Sequence, residues 1–236
     1  MDTFTTNQTL NISSKNSTVA RNGFRAEKVM CMQEDTKLAF EQVFGLPIVA
    51  LTVIHGEKHD IKVKFENGTE TTIQNKDGGD KTGRGHSVDR RNVNAYKNEP
   101  LATLLKTLCL PRTYGDCGKP VVSADVSKTV INMCILGEKE EERPKYFTHT
   151  TSDKDTGKII SMSICTADDL MTFMYGTLYK EMVPKRTCVH LSPNCYLQRK
   201  GGGKTDAKPD DIQMKFKFTE AIEALFTPIF IQTMPL

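Results

Sequence analysis

The order of apolar patterns predicts an α/β or α+β layer fold. Helical spacing recurs at both ends of the chain, and strict alternation marks strands between them. Phe40, Val43 and Phe44 repeat at helical spacing, while Ile61, Val63 and Phe65 alternate with Asp60, Lys62 and Lys64. A second alternation runs through Ile212, Met214, Phe216 and Phe218. With 236 residues, the chain suits one domain, residues 1–236, of a size that can bury a sizeable core without disulfides.

In chain order, residues 1–20 are rich in Ser, Thr and Asn with no apolar period, and a flexible arm is expected there. Asn22-Gly23 opens a helical stretch that runs from Phe24 to Phe44. Gln33 to Thr36 breaks it in two, with Asp35 capping the second half and Gly45 closing it. Ile48 to Ile54 is β-branched and reads as a buried strand. Asp60 to Phe65 and Thr71 to Lys76 read as a hairpin about Asn67-Gly68. The glycine-rich stretch through GDKTGRGHSVDRR reads as a loop; it lacks the order of a phosphate-binding loop. Asn98 to Leu108 predicts a helix, Pro120 to Val130 and Asn132 to Leu136 strand material, and Ile159 to Ile164 a strand. Thr166 caps a helix with Asp168 and Asp169 in its first turn. Thr187 to Leu197 reads as a strand broken at Pro193, Ile212 to Phe218 as a strand, and Thr219 to Phe226 as a short helix.

Composition narrows the function classes. The hydrophobic fraction is 38% and the charged fraction 26%, which excludes collagenous and wholly disordered chains. The longest apolar run, Leu46 to Ile54, is far short of the roughly 20 residues a bilayer span needs. No membrane segment and no secretory leader are read, so a cytoplasmic protein with reduced thiols is expected. Cys188, His190 and Cys195 invite a zinc reading, but a fourth ligand at ordinary spacing is missing. The net charge of +3 hides two basic stretches. Lys76 to Lys97 carries six Lys/Arg against three Asp, and Lys185 to Lys217 eight against three. Both mix charge with Gly, Gln and Asn, a combination that suits a polyanion.

Asp60 to Lys76 carries the chemistry. Gln74 and Lys76 share a face of their strand. A three-residue hairpin loop, with Glu66 opposite Glu70, sets Asp60 across from Lys76 and Val63 against Ile73. A two-residue loop would put Asp60 on the other face, so the longer loop is expected. A carboxylate, an amide oxygen and an ammonium then converge at one sheet end, which are parts that phosphodiester hydrolysis needs. Asp60 and the Gln74 oxygen would hold a hard divalent cation. Lys76 would orient the attacking water or stabilise the pentavalent phosphorus. Glu27, from the first helix, would add a second carboxylate to the metal.

Asp60, thirteen residues, then Gln74-Asn75-Lys76, behind a helix bearing Gly23 and Glu27, resembles the PD-(D/E)xK nuclease superfamily, and within it the type II restriction endonucleases. His59 stands where the family usually has Pro, and Gln74 where it has Asp or Glu. The resemblance spans residues 23–76. It implies a restriction-endonuclease-like fold, a central mixed β-sheet flanked by helices, with a catalytic core over residues 23–110. It also implies Mg2+, one or two ions per site, at Asp60, Gln74 and Glu27. The implied function is metal-dependent cleavage of double-stranded DNA at a short recognition sequence. Cutting both strands would imply a homodimer, with a monomer that nicks each strand in turn as the alternative.

Residues 185–218 look like the strand-loop-strand with which some restriction enzymes read DNA. Arg199 or Lys200 suits guanine O6 and N7, and Gln198 suits adenine N6 and N7, with Lys204 in the connecting turn. Arg84, Arg90 and Arg91 are expected on backbone phosphates. Two other readings share these residues. One is a DNA-binding protein without catalysis, and the other is a nuclease for repair or recombination that reads DNA structure.

Overall fold

The computed structural model describes residues 15–78, 85–92, 124–153, 155–185, 188–199 and 211–231. Two sheets organise them. The first has six strands in the order β1-β2-β3-β5-β6-β11: β1 Ile48–Val53, β2 Ile61–Phe65, β3 Glu70–Asp77, β5 Tyr146–Ser152, β6 Ile159–Thr166 and β11 Thr227–Ile231. It is mixed, because β3 and β5 run parallel while the other pairs run antiparallel. The second has five strands, β4-β10-β9-β8-β7, all antiparallel: β4 Gly85–Asn92, β7 Val183–Lys185, β8 Cys188–His190, β9 Cys195–Arg199 and β10 Asp211–Lys217.

Each face of the six-stranded sheet has its own core. Helices α1 (Lys15–Met32) and α2 (Glu34–Phe44) cover one face, where Ala26, Met30, Ala39 and Phe40 meet Ile61, Val63, Phe65, Ile73, Met162 and Ile164. The other face packs against α3 (Ala124–Ile135), α4 (Ala167–Gly176) and the five-stranded sheet. There Phe147 and Cys165 join Ile131, Cys134, Leu170, Met174, Leu197, Met214 and Phe216. The fold is therefore α/β, a central mixed sheet flanked by helices. No described helix is long and apolar enough to cross a membrane.

Several local expectations hold. The long helical stretch breaks at Gln33, and Gly45 ends α2 in the left-handed conformation at φ 64°. Thr166 caps α4, its hydroxyl oxygen accepting from the Asp169 amide at 3.0 Å. β9 and β10 form an antiparallel pair around residues 200–210.

Others are corrected. α1 begins at Lys15, so the expected arm of residues 1–20 ends early and Asn22-Gly23 lies inside the helix. Packing of Ala26 and Met30 against the sheet overrides the weak helix propensity of the Ser/Thr/Asn-rich start. Asp35 lies in the first turn of α2, and the cap position is Gln33. β1 is an edge strand whose residues after Ile48 are largely or partly exposed, so the expected buried strand is buried at one end only. Ala124–Ile135 is a helix where strands were expected, because its β-branched residues fill a buried helical face. GHSVDRRN forms β4 in place of a loop, paired to β10. The expected helix at Asn98 to Leu108 lies outside the described residues.

Candidate active site

The site sits where β2 and β3 leave their hairpin. Asn67 Oδ1 accepts from the Thr69 amide and hydroxyl, and Gly68, at φ 83°, makes the left-handed turn. Phe65 N donates to Thr69 O, so three residues form the loop, as expected. The closing pair is Phe65 and Thr69, however, where Glu66 and Glu70 were expected. Ile61 therefore faces Ile73, and Val63 faces Thr71. This slip of two residues preserves every face, since side chains alternate with period two. Continued by one position, the register sets Asp60 across from Gln74, with Lys76 on the diagonal.

Lys76 Nζ stands 3.7 Å from Asp60 Oδ2. The same oxygen accepts the Asn75 amide at 2.8 Å, which fixes the carboxylate against β3. Gln74 is 4% exposed, and among the described residues its Oε1 has no hydrogen-bond partner. A buried acceptor left unmade costs about 1–3 kcal/mol, so this oxygen is held at an energetic cost beside the Asp60–Lys76 pair. Alternation turns Asn75 and Asp77 to the face covered by α1 and α2. Asn75 Oδ1 accepts from Thr148 Oγ1 at 2.9 Å and Thr150 Oγ1 at 3.2 Å, and Asp77 Oδ2 accepts from Ser152 Oγ at 2.7 Å. These bonds lock β3 to β5 next to the site.

Glu27 comes from α1. Burial pushes its carboxyl up to about 7, with Asp60 and Asp77 adding to the rise and Lys76 opposing it. Glu27 is thus within electrostatic reach of Asp60 and Lys76, though it belongs to the helix layer on the Asn75–Asp77 side. His149 pairs with Lys76 across β5 and stacks on Phe218 at 3.8 Å. Burial holds its imidazole down at about 4, with Asp77 acting the other way.

Among the described residues no group of three His, Cys, Asp or Glu side chains gathers as a metal site. The donors on the β2–β3 pair are oxygen, the Asp60 carboxylate and the buried Gln74 amide oxygen, with the Glu27 carboxyl within electrostatic reach from α1. Hard oxygen donors with one acceptor unmade fit Mg2+ better than a soft metal.

The described members of the expected DNA-contact set lie in register across three neighbouring strands, β4, β10 and β9. Arg90 and Arg91 lie on β4, opposite Gln213 and Ile212 of β10. Arg90 Nε bonds Asp211 Oδ2 at 3.0 Å, so its charge is already matched. Arg90 thus sits on a strand where a loop was expected. Gln198 pairs with Gln213 across β9 and β10, and Arg199 occupies the position opposite Ile212. Arg84, Lys200 and Lys204 lie outside the described residues. Asp77, His149 and the Asn75 network escaped the sequence reading; the parallel partner β5, rich in Thr, is what gathers them, and its polar composition hides a strand.

No protein-family model matches the chain, and no curated protein does. Among solved structures it is similar to the restriction endonuclease MspI in complex with its cognate DNA, at 14% identity and a TM-score of 0.45, over 77% of each chain.

Proposed function

We propose that the chain is a metal-dependent endonuclease of the restriction type, cleaving double-stranded DNA at a short recognition sequence. The observation that carries this reading is the Asp60–Lys76 pair at 3.7 Å on the strands that also carry a buried Gln74 oxygen, which has no partner among the described residues. A purely structural hairpin gains nothing from an orphaned amide oxygen there, whereas a hydrolytic site uses an oxygen donor and a cation side by side.

Asp60, Gln74 and Glu27 would hold one or two Mg2+ ions, which, when bound, neutralise phosphate charge and make a bound water acidic. Asp60 supplies the anionic ligand and stays oriented by the Asn75 amide. Gln74 contributes an oxygen without charge. Lys76 orients the water and meets charge on the phosphorane. The water oxygen joins phosphorus and releases a proton to solvent, one P–O ester bond breaks, and the leaving oxygen takes a proton from solvent and departs as a hydroxyl. Sequence reading belongs in this proposal to the five-stranded sheet, through Gln198, Arg199 and the β9–β10 connection with Lys200 and Lys204. Arg84, Arg90 and Arg91 would track phosphates. A homodimer would place two such sites on a palindrome.

The test is incubation of the purified protein with plasmid DNA, with Mg2+ and with EDTA. Discrete metal-dependent fragments are the expected result. Absence of cleavage would leave a DNA-binding protein, and junction-dependent cuts would move the reading to a structure-specific nuclease.

A further inference from the structure

Two residues before Asp60, Lys58 turns away from the site and inward. Its side chain is 11% exposed. Its ammonium donates to the Val88 carbonyl at 3.1 Å and to the Cys134 carbonyl, and lies 3.4 Å from Asp89 Oδ1. A lysine has three N–H donors, and three acceptors meet them here. Burying an ammonium is costly unless it is satisfied in this way.

The three acceptors come from two different elements. Val88 and Asp89 belong to β4, the outer strand of the five-stranded sheet. Cys134 is in the last turn of α3, where carbonyls lack helical partners and a cation suits the helix dipole. Neighbouring carbonyls Asn132 O and Met133 O are taken by Leu136 N and Gly137 N, so the lysine takes a place the backbone leaves open. Gly137, at φ 96°, makes room for it: a Cβ there would stand 2.5 Å from Lys58 Cγ. His59 adds a second anchor, its Nδ1 donating to the Glu142 carbonyl at 3.0 Å.

We propose that Lys58 is a positioning residue, which ties the segment leading into Asp60 to β4 and to the end of α3 and so sets the Asp60 carboxylate relative to the five-stranded sheet. The catalytic part of this inference rests on the nuclease reading; the positional part does not. Asp60 has two backbone reporters. Its carbonyl accepts the Ile54 amide at 2.8 Å, and its carboxylate accepts the Asn75 amide.

The experiment compares Lys58→Met and Lys58→Arg with the wild-type chain. Without DNA, hydrogen exchange and amide shifts at Ile54 and Asn75 are followed by NMR. Lys58→Met should speed exchange at both amides by about tenfold, the scale of losing one hydrogen bond, with Lys58→Arg recovering most of it. With Mg2+ and a specific duplex, Lys58→Met should lower kcat by about 100-fold while Kd for DNA stays within about threefold, as expected for a catalytic group displaced by about 1 Å. Unchanged Ile54 and Asn75 amides in a folded Lys58→Met protein overturn the proposal. So does an equal loss in kcat and DNA affinity. If the wild-type chain cuts no DNA, the nuclease reading fails and the amide measurements still decide the positional claim. Should Lys58→Met not fold, Asp89→Asn removes one of the three acceptors' charge and must shift the same two amides in the same direction, to a smaller degree; no shift there overturns the proposal equally.

Discussion

Lys76 Nζ stands 3.7 Å from Asp60 Oδ2 across the β2–β3 hairpin, and both side chains are mostly buried. An ion pair of this kind lies between the surface and buried limits, and removing one partner costs about 1–2 kcal/mol. Its value in the proposed mechanism lies in the transition state. Lys76→Ala should therefore leave the melting temperature within a few degrees and DNA affinity within about threefold, while cleavage falls by about 100-fold or more. Cleavage at near the wild-type rate would put the active site elsewhere.

Gln74 separates a structural from a ligand role. If the buried amide only fills space, replacing it by an apolar residue of similar shape removes an unmade acceptor and is neutral or stabilising. Gln74→Met should hold or raise the melting temperature and lose Mg2+-dependent stabilisation and cleavage together. Gln74→Glu restores the commoner ligand of the resembled family. It crowds a third carboxyl near Asp60 and Glu27, so it should melt lower in EDTA and gain more from Mg2+ than the wild-type chain. Melting curves with and without Mg2+ decide the matter, and equal Mg2+ responses in all three proteins would remove Gln74 from the ligand set.

The parity of the hairpin was legible in the sequence because period-two alternation ties Ile61, Val63 and Phe65 to one face and leaves Asp60, Gln74 and Lys76 for the other. The exact register was not, since Asn67 and Gly68 close the turn on Phe65 and Thr69 through hydrogen bonds that a dipeptide signal does not specify. β4 and β5 escaped for a related reason. GHSVDRRN and YFTHTTS carry few apolar residues, and their pairing comes from distant partners, β10 and β3. Lys58 was invisible because its meaning depends on where the end of α3 falls.

His149 gives the chain a pH dependence with a definite sign. The folded imidazole titrates at about 4, held down first by burial, against an ordinary value of 6.5. Between those values the unfolded chain binds the proton and the folded chain resists it. Stability is therefore lost as pH falls from 6.5, and the loss levels off below about 4. Full burial would set it at about 3 kcal/mol; partial exposure reduces it to about 1–2. His149→Phe keeps a ring against Phe218 and removes the titration. Urea unfolding at neutral and acid pH should show a smaller acid loss in the variant, and an unchanged loss would mean that other groups carry it.

Arg90 and Arg199 are expected to behave differently on DNA, because the structure already gives Arg90 a partner. Its guanidinium is 39% exposed and holds Asp211, which is 9% exposed, at 3.0 Å. Arg90→Ala leaves that carboxylate buried without its cation, at a cost between the surface and buried limits, about 1–2 kcal/mol. The freed negative charge also repels phosphate, so DNA affinity should fall for all sequences alike. Asp211→Asn in the Arg90→Ala background should recover stability and part of the affinity. A guanidinium on a base edge discriminates by about 1–3 kcal/mol, whereas one on phosphate changes the salt slope by about one charge. Arg199→Ala should then weaken a specific duplex more than a scrambled one, with the slope of affinity against salt nearly unchanged. Binding to both duplexes at several salt concentrations separates the two. If Arg199→Ala lowers both affinities equally and flattens the slope, Arg199 is a phosphate contact, and base reading passes to Gln198 and the connection after β9.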